Sequence, residues 1–315
     1  MGSLLRLAVS QGLHGDPEHF PFISPFEGEM RRRIRATIIE LNFQCSNDIS
    51  MPPRLTLHGF NTKPPLNLND EDFDKCSKSL PLSSPTDRHT SSALQIALLS
   101  SFSTRSYISQ PPGCDHEQSY EAAFDCGTQV RTASDVLAGL FRGYLAQTAA
   151  SDLAPTMFHC QLLNTILHLS LLHLYRPFTL KAIQDPLFYP SPKLSLDSAL
   201  AIASYAESPN SSNSLSQQST QDFHRLCLSG TGLWKGPFSQ QIVVASQLEL
   251  MLQTEEMEAQ QPTGSTKKVA GAIDQMAQYT HAPMVQALQC ILCQSISNRT
   301  PIMKQYCLLS GILGQ

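Results

Sequence analysis

The sequence predicts an all-α fold, a large irregular helical bundle with long polar loops. Apolar residues recur at intervals of three and four through much of the chain, as one face of a 3.6-residue helix requires. No run alternates apolar and polar residues as a half-buried strand would. Two long polar stretches without periodicity separate groups of helical segments. With 41% hydrophobic residues in a chain of 315, there is enough apolar material for a real core.

Met30, Ile34, Ile38, Leu41 and Cys45 fall on one helical face. Glu27 and Glu29 favour the N-terminal end of that helix through its dipole, and Pro52-Pro53 stop it. The basic run Arg31-Arg32-Arg33 with Arg35 then belongs on the solvated side, opposite Ile34 and Ile38. Pro64–Pro85, polar and rich in turn formers, reads as a long surface loop exposed to protease. Helical patterning returns at Ala93–Leu99 and is clear in Val130–Leu145, where Val130, Ala133, Leu137, Leu140, Phe141 and Tyr144 mark one stripe. Met157–Tyr175 is apolar on nearly every side, which suits the centre of a bundle, and Arg176-Pro177 is expected to end it. Leu196–Tyr205 is a shorter helix, followed by the Ser/Asn/Gln connection Pro209–Thr220. Phe223–Leu228, Ile242–Met257, Val269–Cys293 and Pro301–Leu313 are the remaining helical segments, with a turn at Gln261–Lys268.

A net charge of −4 leaves no basic surplus for coating nucleic acid. Nine cysteines, an odd number scattered through a long chain, read as reduced thiols. The short apolar run at the N-terminus is broken by Arg6, which argues against a secretory leader and against a myristoylation signal. Cys160–Tyr175 is shorter than the ~20 residues a membrane span needs and carries Asn164, His168 and His173. These properties predict a soluble intracellular protein with no membrane partner.

Asp70-Glu71-Asp72-Phe73-Asp74 is the most tempting constellation, because alternating carboxylates can hold Ca²⁺ or a Mg²⁺-diphosphate. A calcium loop starting at Asp70 needs Gly at its sixth position and Glu at its twelfth, where this chain has Lys75 and Pro81. A magnesium-diphosphate site would need a second ligand set on another helix, and none is legible. The cluster reads as a solvated loop or a helix N-terminus. Gly230-Thr231-Gly232 through Gly236 lacks the strand and spacing of a phosphate loop and reads as a glycine helix stop. His168 and His173 are five apart, off a shared face, and read as core or interface histidines; Cys290 and Cys293 stand without a second pair and read as buried thiols. There is no Gly-x-Ser-x-Gly elbow and no Gly-Lys-Ser/Thr loop. No catalytic, cofactor-binding or metal-ligating residue is assigned.

Several segments in order resemble a known family. Gly12-Leu13-His14-x-Asp16-Pro17 is followed by Ser24-Pro25-Phe26-Glu27-x-Glu29-Met30-Arg31-Arg32-Arg33-Ile34, then Glu40-Leu41-x-x-Gln44-x-Ser46. Met51-Pro52-Pro53, Phe60-Asn61-Thr62, Pro65-Leu66-Asn67-x-Asn69-Asp70-Glu71-Asp72 and Leu172-His173-x-Tyr175-Arg176-Pro177-Phe178 come next. Together they resemble the regulatory middle region of fungal binuclear zinc-cluster transcription factors, from about Leu7 to Tyr205 and more loosely through Trp234. Two departures stand out: Gly15 where the family usually has Arg, and Arg35-Ala36 where it has an aromatic residue after the basic run.

The resemblance implies a regulator of fungal transcription in the nucleus, acting as the helical regulatory domain of a zinc-cluster factor rather than as an enzyme. It implies a domain over 1–235, truncated at its N-terminal side, and a C-terminal helical extension over 236–315 packed on it. The family's zinc belongs to an N-terminal cluster of six closely spaced cysteines, whereas the first two cysteines here are Cys45 and Cys76. No cofactor is therefore expected in this chain. DNA would be reached only through a missing or partner zinc-cluster module, with a homo- or heterodimer of related factors as a further partner. The alternative from another class is a Mg²⁺-dependent all-α enzyme acting on isoprenoid diphosphates through the Asp70–Asp74 loop.

Overall fold

The computed structural model describes residues 2–48, 62–109, 119–147, 155–182 and 185–205. Among these, 71% are helical and none is in a strand, so the fold class is all-α as expected. The helices are α1 (Gly2–Ser10), α2 (Pro25–Asp48), α3 (Ala93–Ser100), α4 (Phe102–Ile108), α5 (Tyr120–Gln147), α6 (Met157–Lys181) and α7 (Pro190–Ser204). Short 3₁₀ turns form at Pro17–His19, Asp70–Asp72 and Pro186–Phe188. The described residues form two units whose boundary falls inside α6, between Leu163 and Asn164.

In the first unit everything is arranged on α2. Its N-terminus is closed by a capping box: the Ser24 Oγ accepts from the Glu27 N–H, and the Glu27 carboxylate accepts from the Ser24 N–H. Leu5 of α1 packs on a cluster of Ile39, Phe43 and Phe102, in which the two phenyl rings meet edge-on at 5.5 Å. Gln95 of α3 donates to Thr37 Oγ1 at 2.8 Å, and Thr104 of α4 to Gln129 of α5 at 2.9 Å. The α5 stripe is buried at Val130, Leu137, Phe141 and Tyr144, as its spacing requires.

Residues 62–92 form a non-helical strap rather than a loop lying wholly on the surface. Asn67, Leu68 and Phe73 are buried. The Asn67 side chain reaches the carbonyls of Ser84, Pro85 and Arg88, its own N–H donates to Ser83 Oγ, and its carbonyl accepts from the Ser84 N–H. One buried amide thus gathers both ends of the strap, and Tyr144 Oη fixes its far end by donating to the Thr86 carbonyl at 2.6 Å. The limb between, Asp74–Leu82, is exposed at Lys75, Cys76, Lys78 and Leu82.

In the second unit, α6 is lined by buried Leu167, Leu171, Leu172, Leu174 and Tyr175. It does not end at Arg176-Pro177: the helix runs through Pro177 to Lys181. A mid-helix proline costs roughly 3 kcal/mol. Here Tyr175, Phe178 and Thr179 are buried on either side of it, so packing gained by continuing the helix outweighs the lost hydrogen bond. Thr179 Oγ1 bonds the Tyr175 carbonyl at 3.0 Å and lies 3.3 Å from Ser195 Oγ of α7. Helix α7 starts at Pro190, six positions before the expected Leu196, and α5 starts at Tyr120, ten before Val130. The segments Pro209–Thr220, Phe223–Leu228, Ile242–Met257, Gln261–Lys268, Val269–Cys293 and Pro301–Leu313, the Gly230–Gly236 stretch and Pro52-Pro53 lie outside the described residues.

Candidate functional site

The densest concentration of charge is on α2, and the structure turns that helix away from the expected orientation: Ile38 is buried as expected, but the arginines are buried with it. Arg32, Arg33 and Arg35 are buried, while Ile34 is 44% exposed and Met30, Leu41 and Cys45 are only half-covered. The buried surface runs through Glu29, Arg32, Arg33, Arg35, Ala36, Ile38, Ile39, Glu40 and Phe43. The physical reason is that carboxylates and carbonyls distant in sequence meet the guanidinium groups, which periodicity along one helix cannot register.

Arg32 and Arg33 have separate receptors. Arg32 donates to Asp16 at 3.0 Å and to Glu18 at 3.1 Å. Asp16 is the hub: it also accepts the Lys63 N–H at 2.7 Å and the Glu18 N–H at 3.0 Å, tying the N-terminal turn, α2 and the start of the strap together. Burial works against its charge, but the Arg32 hydrogen bond and the Lys63 and Glu18 amides outweigh it and hold the carboxyl at about 2. Glu18 is lowered by its hydrogen bond to Lys63.

Arg33 donates to Glu29 at 3.2 Å, to the Leu68 carbonyl at 2.8 Å and to Asp70, and its guanidinium stacks 5.0 Å from the centre of the Phe73 ring. Glu29 is fully buried; its Oε1 also accepts the Leu66 N–H, while Oε2 has no hydrogen-bond partner among the described residues. Burial accordingly pushes the Glu29 carboxyl up, with Arg33 opposing. Arg35 is pushed down by burial, with the Asp16 charge opposing.

Arg105 of α4 completes the set. It is fully buried and grips both Glu40 oxygens at 2.8 Å, with Ser101 Oγ and the Leu98 carbonyl taking further N–H groups. Its guanidinium lies 5.1 Å from the Phe43 ring centre and 5.8 Å from that of Phe102. A planar bidentate fork between two aromatic rings is a geometry that arginine satisfies and lysine does not.

The Asp70–Asp74 segment is an exposed 3₁₀ turn followed by a tight turn. Asp72 accepts the Asn69 N–H, Asp74 accepts from Cys76 N–H and Ser77 Oγ, and Asp70 pairs with Arg33. The carboxylates are engaged with this chain's own backbone and cations. Among the described residues no group of three or more His, Cys, Asp or Glu is placed to hold a metal ion. The described cysteines Cys45, Cys76, Cys126 and Cys160 are widely spaced in the chain, unlike the closely spaced ligands of a binuclear zinc cluster. His173 is pushed down by burial, as a core histidine is. No described helix is long and apolar enough to cross a membrane.

Asp16, Glu40 and Asn67 lie in segments that carry the family resemblance, but nothing in those segments names their partners, and Arg105 lies in none of them. Only Asp16-Pro17 has a local signature, a helix-capping acid before a first-position proline. What the site defines is a helical scaffold whose basic residues are turned inward and consumed in joining its elements.

Relatives give that scaffold a family. The chain is 36% identical over 325 aligned positions to the transcription factor opdR of Penicillium oxalicum, an alignment that covers all of this chain and 40% of that protein. It is 28% identical to the transcription factor asR3 of Sarocladium schorii, with 100% and 38% covered. Over 90 residues it is 42% identical to the Zn(2)-C6 fungal-type transcription factor pigI of Monascus ruber, covering 29% of this chain and 11% of that protein. The chain belongs to the fungal zinc-cluster transcription factor family and spans about two fifths of the length of the first two of these relatives. No family model matches it. No solved structure matches it either.

Proposed function

We propose that the chain is the helical regulatory region of a zinc-cluster transcription factor, acting in the nucleus on an attached or partner DNA-binding module, and that it is not an enzyme. The observation that carries this reading is the alignment of the whole chain with a stretch of fungal transcription factors. In this reading 1–235 is the middle homology region and 236–315 a helical extension packed on it. DNA is reached through the zinc-cluster module, whose zinc is held by cysteines outside this chain, and related factors are the partners for a homo- or heterodimer.

The inward arginines support the same division of labour. Arg32, Arg33 and Arg105 spend their charge on Asp16, Glu29 and Glu40, which leaves the scaffold to position and modulate rather than to grip phosphate. The test is a fusion of the full chain to an unrelated DNA-binding domain, read on a reporter gene in a fungal host. The fusion is expected to change reporter output severalfold relative to the DNA-binding domain alone, and the unfused chain to leave it unchanged. Equal output from the fusion and the bare DNA-binding domain would remove the reading.

A further inference from the structure

We propose that the first turn of α6 is closed by a half capping box, the Thr156 N–H held by the His159 ring, that operates only while His159 is neutral, so that acidification opens it. Thr156 occupies the cap position, directly before Met157, and His159 is the third residue of the helix. The Thr156 N–H donates to His159 Nδ1 at 3.0 Å, Thr156 Oγ1 lies 2.9 Å from the same nitrogen, and the His159 N–H donates back to the Thr156 carbonyl at 3.0 Å. His159 thus supplies the half of a capping box in which a glutamate or glutamine ordinarily stands third and accepts the cap N–H, while its own N–H bonds the Thr156 carbonyl instead of the Thr156 hydroxyl.

Histidine in that place adds a proton-dependent step. A backbone N–H can donate to Nδ1 only when that nitrogen carries no proton, which fixes the neutral tautomer with hydrogen on Nε2. A proton arriving on Nδ1 turns the acceptor into a donor aimed at another donor. It also places a positive charge in the first turn of a helix, where the dipole repels it.

The groups around His159 reinforce the neutral form. On its own helix the Phe158 ring meets it edge-on at 5.9 Å. From the strap comes His89, whose ring lies edge-on 5.3 Å from Tyr144 of α5. The carboxylate of this neighbourhood, Asp87, acts on Tyr144. Burial lowers both imidazoles, and a charge on His159 opposes a second one on His89. A histidine lowered in the folded state contributes stability that is complete above its ordinary value of 6.5 and is lost as the pH falls below it.

The experiment is amide exchange on the full chain, compared as protection factors at pH 7.5 and pH 5.5. In the wild type, protection at Thr156 and His159 is expected to fall severalfold on acidification, with about tenfold as the limit that one proton can supply over this interval. His159→Gln, which keeps an acceptor at every pH, is expected to abolish that step. Unchanged wild-type protection, or the same step in His159→Gln, would overturn the proposal. The nitrogen chemical shifts of the wild-type imidazole at pH 7.5 give a second reading that needs no variant: hydrogen on Nε2 supports the box, and hydrogen on Nδ1 overturns it.

Discussion

Removing the Arg105 side chain takes the cation away from Glu40, which is 8% exposed, while the Leu98 carbonyl and Ser101 Oγ, which also accept from it, keep the hydrogen bond they make to each other. Breaking one side of a buried ion pair costs about 3–5 kcal/mol, whereas replacing both partners by apolar side chains of similar size is often close to neutral. Arg105→Ala is therefore expected to lower stability by about that amount, and Arg105→Met combined with Glu40→Leu by much less. Urea denaturation of the full chain, compared at constant m-value, measures both; equal losses in the two variants would mean that the pair itself is not what holds α4 to α2.

Asp16 makes the residue scale visible as a pH dependence. Its carboxyl is held at about 2, below its ordinary 3.8. A lowered acid contributes stability that is complete above the ordinary value and is lost as the pH falls toward the folded one. The stability difference between wild type and Asp16→Asn is thus expected to be constant above pH ~4 and to shrink between pH ~4 and ~2. A difference that persists unchanged at pH ~2 would show that Arg32 does not depend on the Asp16 charge.

At the scale of the element, α2 buries charged residues beside apolar ones and leaves Ile34 exposed. Ile34→Lys is expected to change stability by less than about 0.5 kcal/mol. Ile39→Ala, in the cluster with Phe43 and Phe102, is expected to cost about 2–5 kcal/mol. Denaturation midpoints decide, and a severe loss at Ile34 would restore the orientation that periodicity favours. The existence of helices at 30–45, 93–99, 130–145, 157–175 and 196–205 was legible because each has an apolar stripe or run of its own. The facing of α2 was not, because the groups that receive its arginines, the Asp16 and Asp70 carboxylates and the Leu68 carbonyl, come from other parts of the chain. The strap was legible as non-helical from its prolines and turn formers, but not as structure, because the single amide that organises it, Asn67, looks like any other polar loop residue. That organisation sets where protease enters: among the described residues, trypsin is expected to cut first after Lys75 or Lys78, on the exposed limb, while Arg33 and Arg105 stay protected. Early fragments ending at either arginine would show that the strap and α4 open together.

For the molecule as a whole, the same burial settles what a basic run can do. Arg31–Arg35 looks in sequence like four cations on one side of a helix, yet three of them are buried and the fourth, Arg31, gives an N–H to the Gln11 carbonyl at 3.0 Å. Neutralising Z phosphates makes the logarithm of affinity fall with the logarithm of salt at a slope of about −0.9Z, so affinity for DNA without sequence readout rests on the number of free cations. A chain with net charge −4 whose clustered arginines point inward offers few. The described helices also present no basic face that could lie in a groove and read base edges. Selection from random duplex DNA with the purified chain is expected to enrich no motif at physiological salt, with retention at low salt giving a slope no steeper than about −2. Unfolding the α2 network by Asp16→Asn, which frees Arg32 from its receptor, is expected to raise that low-salt retention rather than lower it. A defined motif surviving at physiological salt would mean that a DNA-reading surface exists in the chain itself, and the division between this scaffold and a separate zinc-cluster module would have to be abandoned.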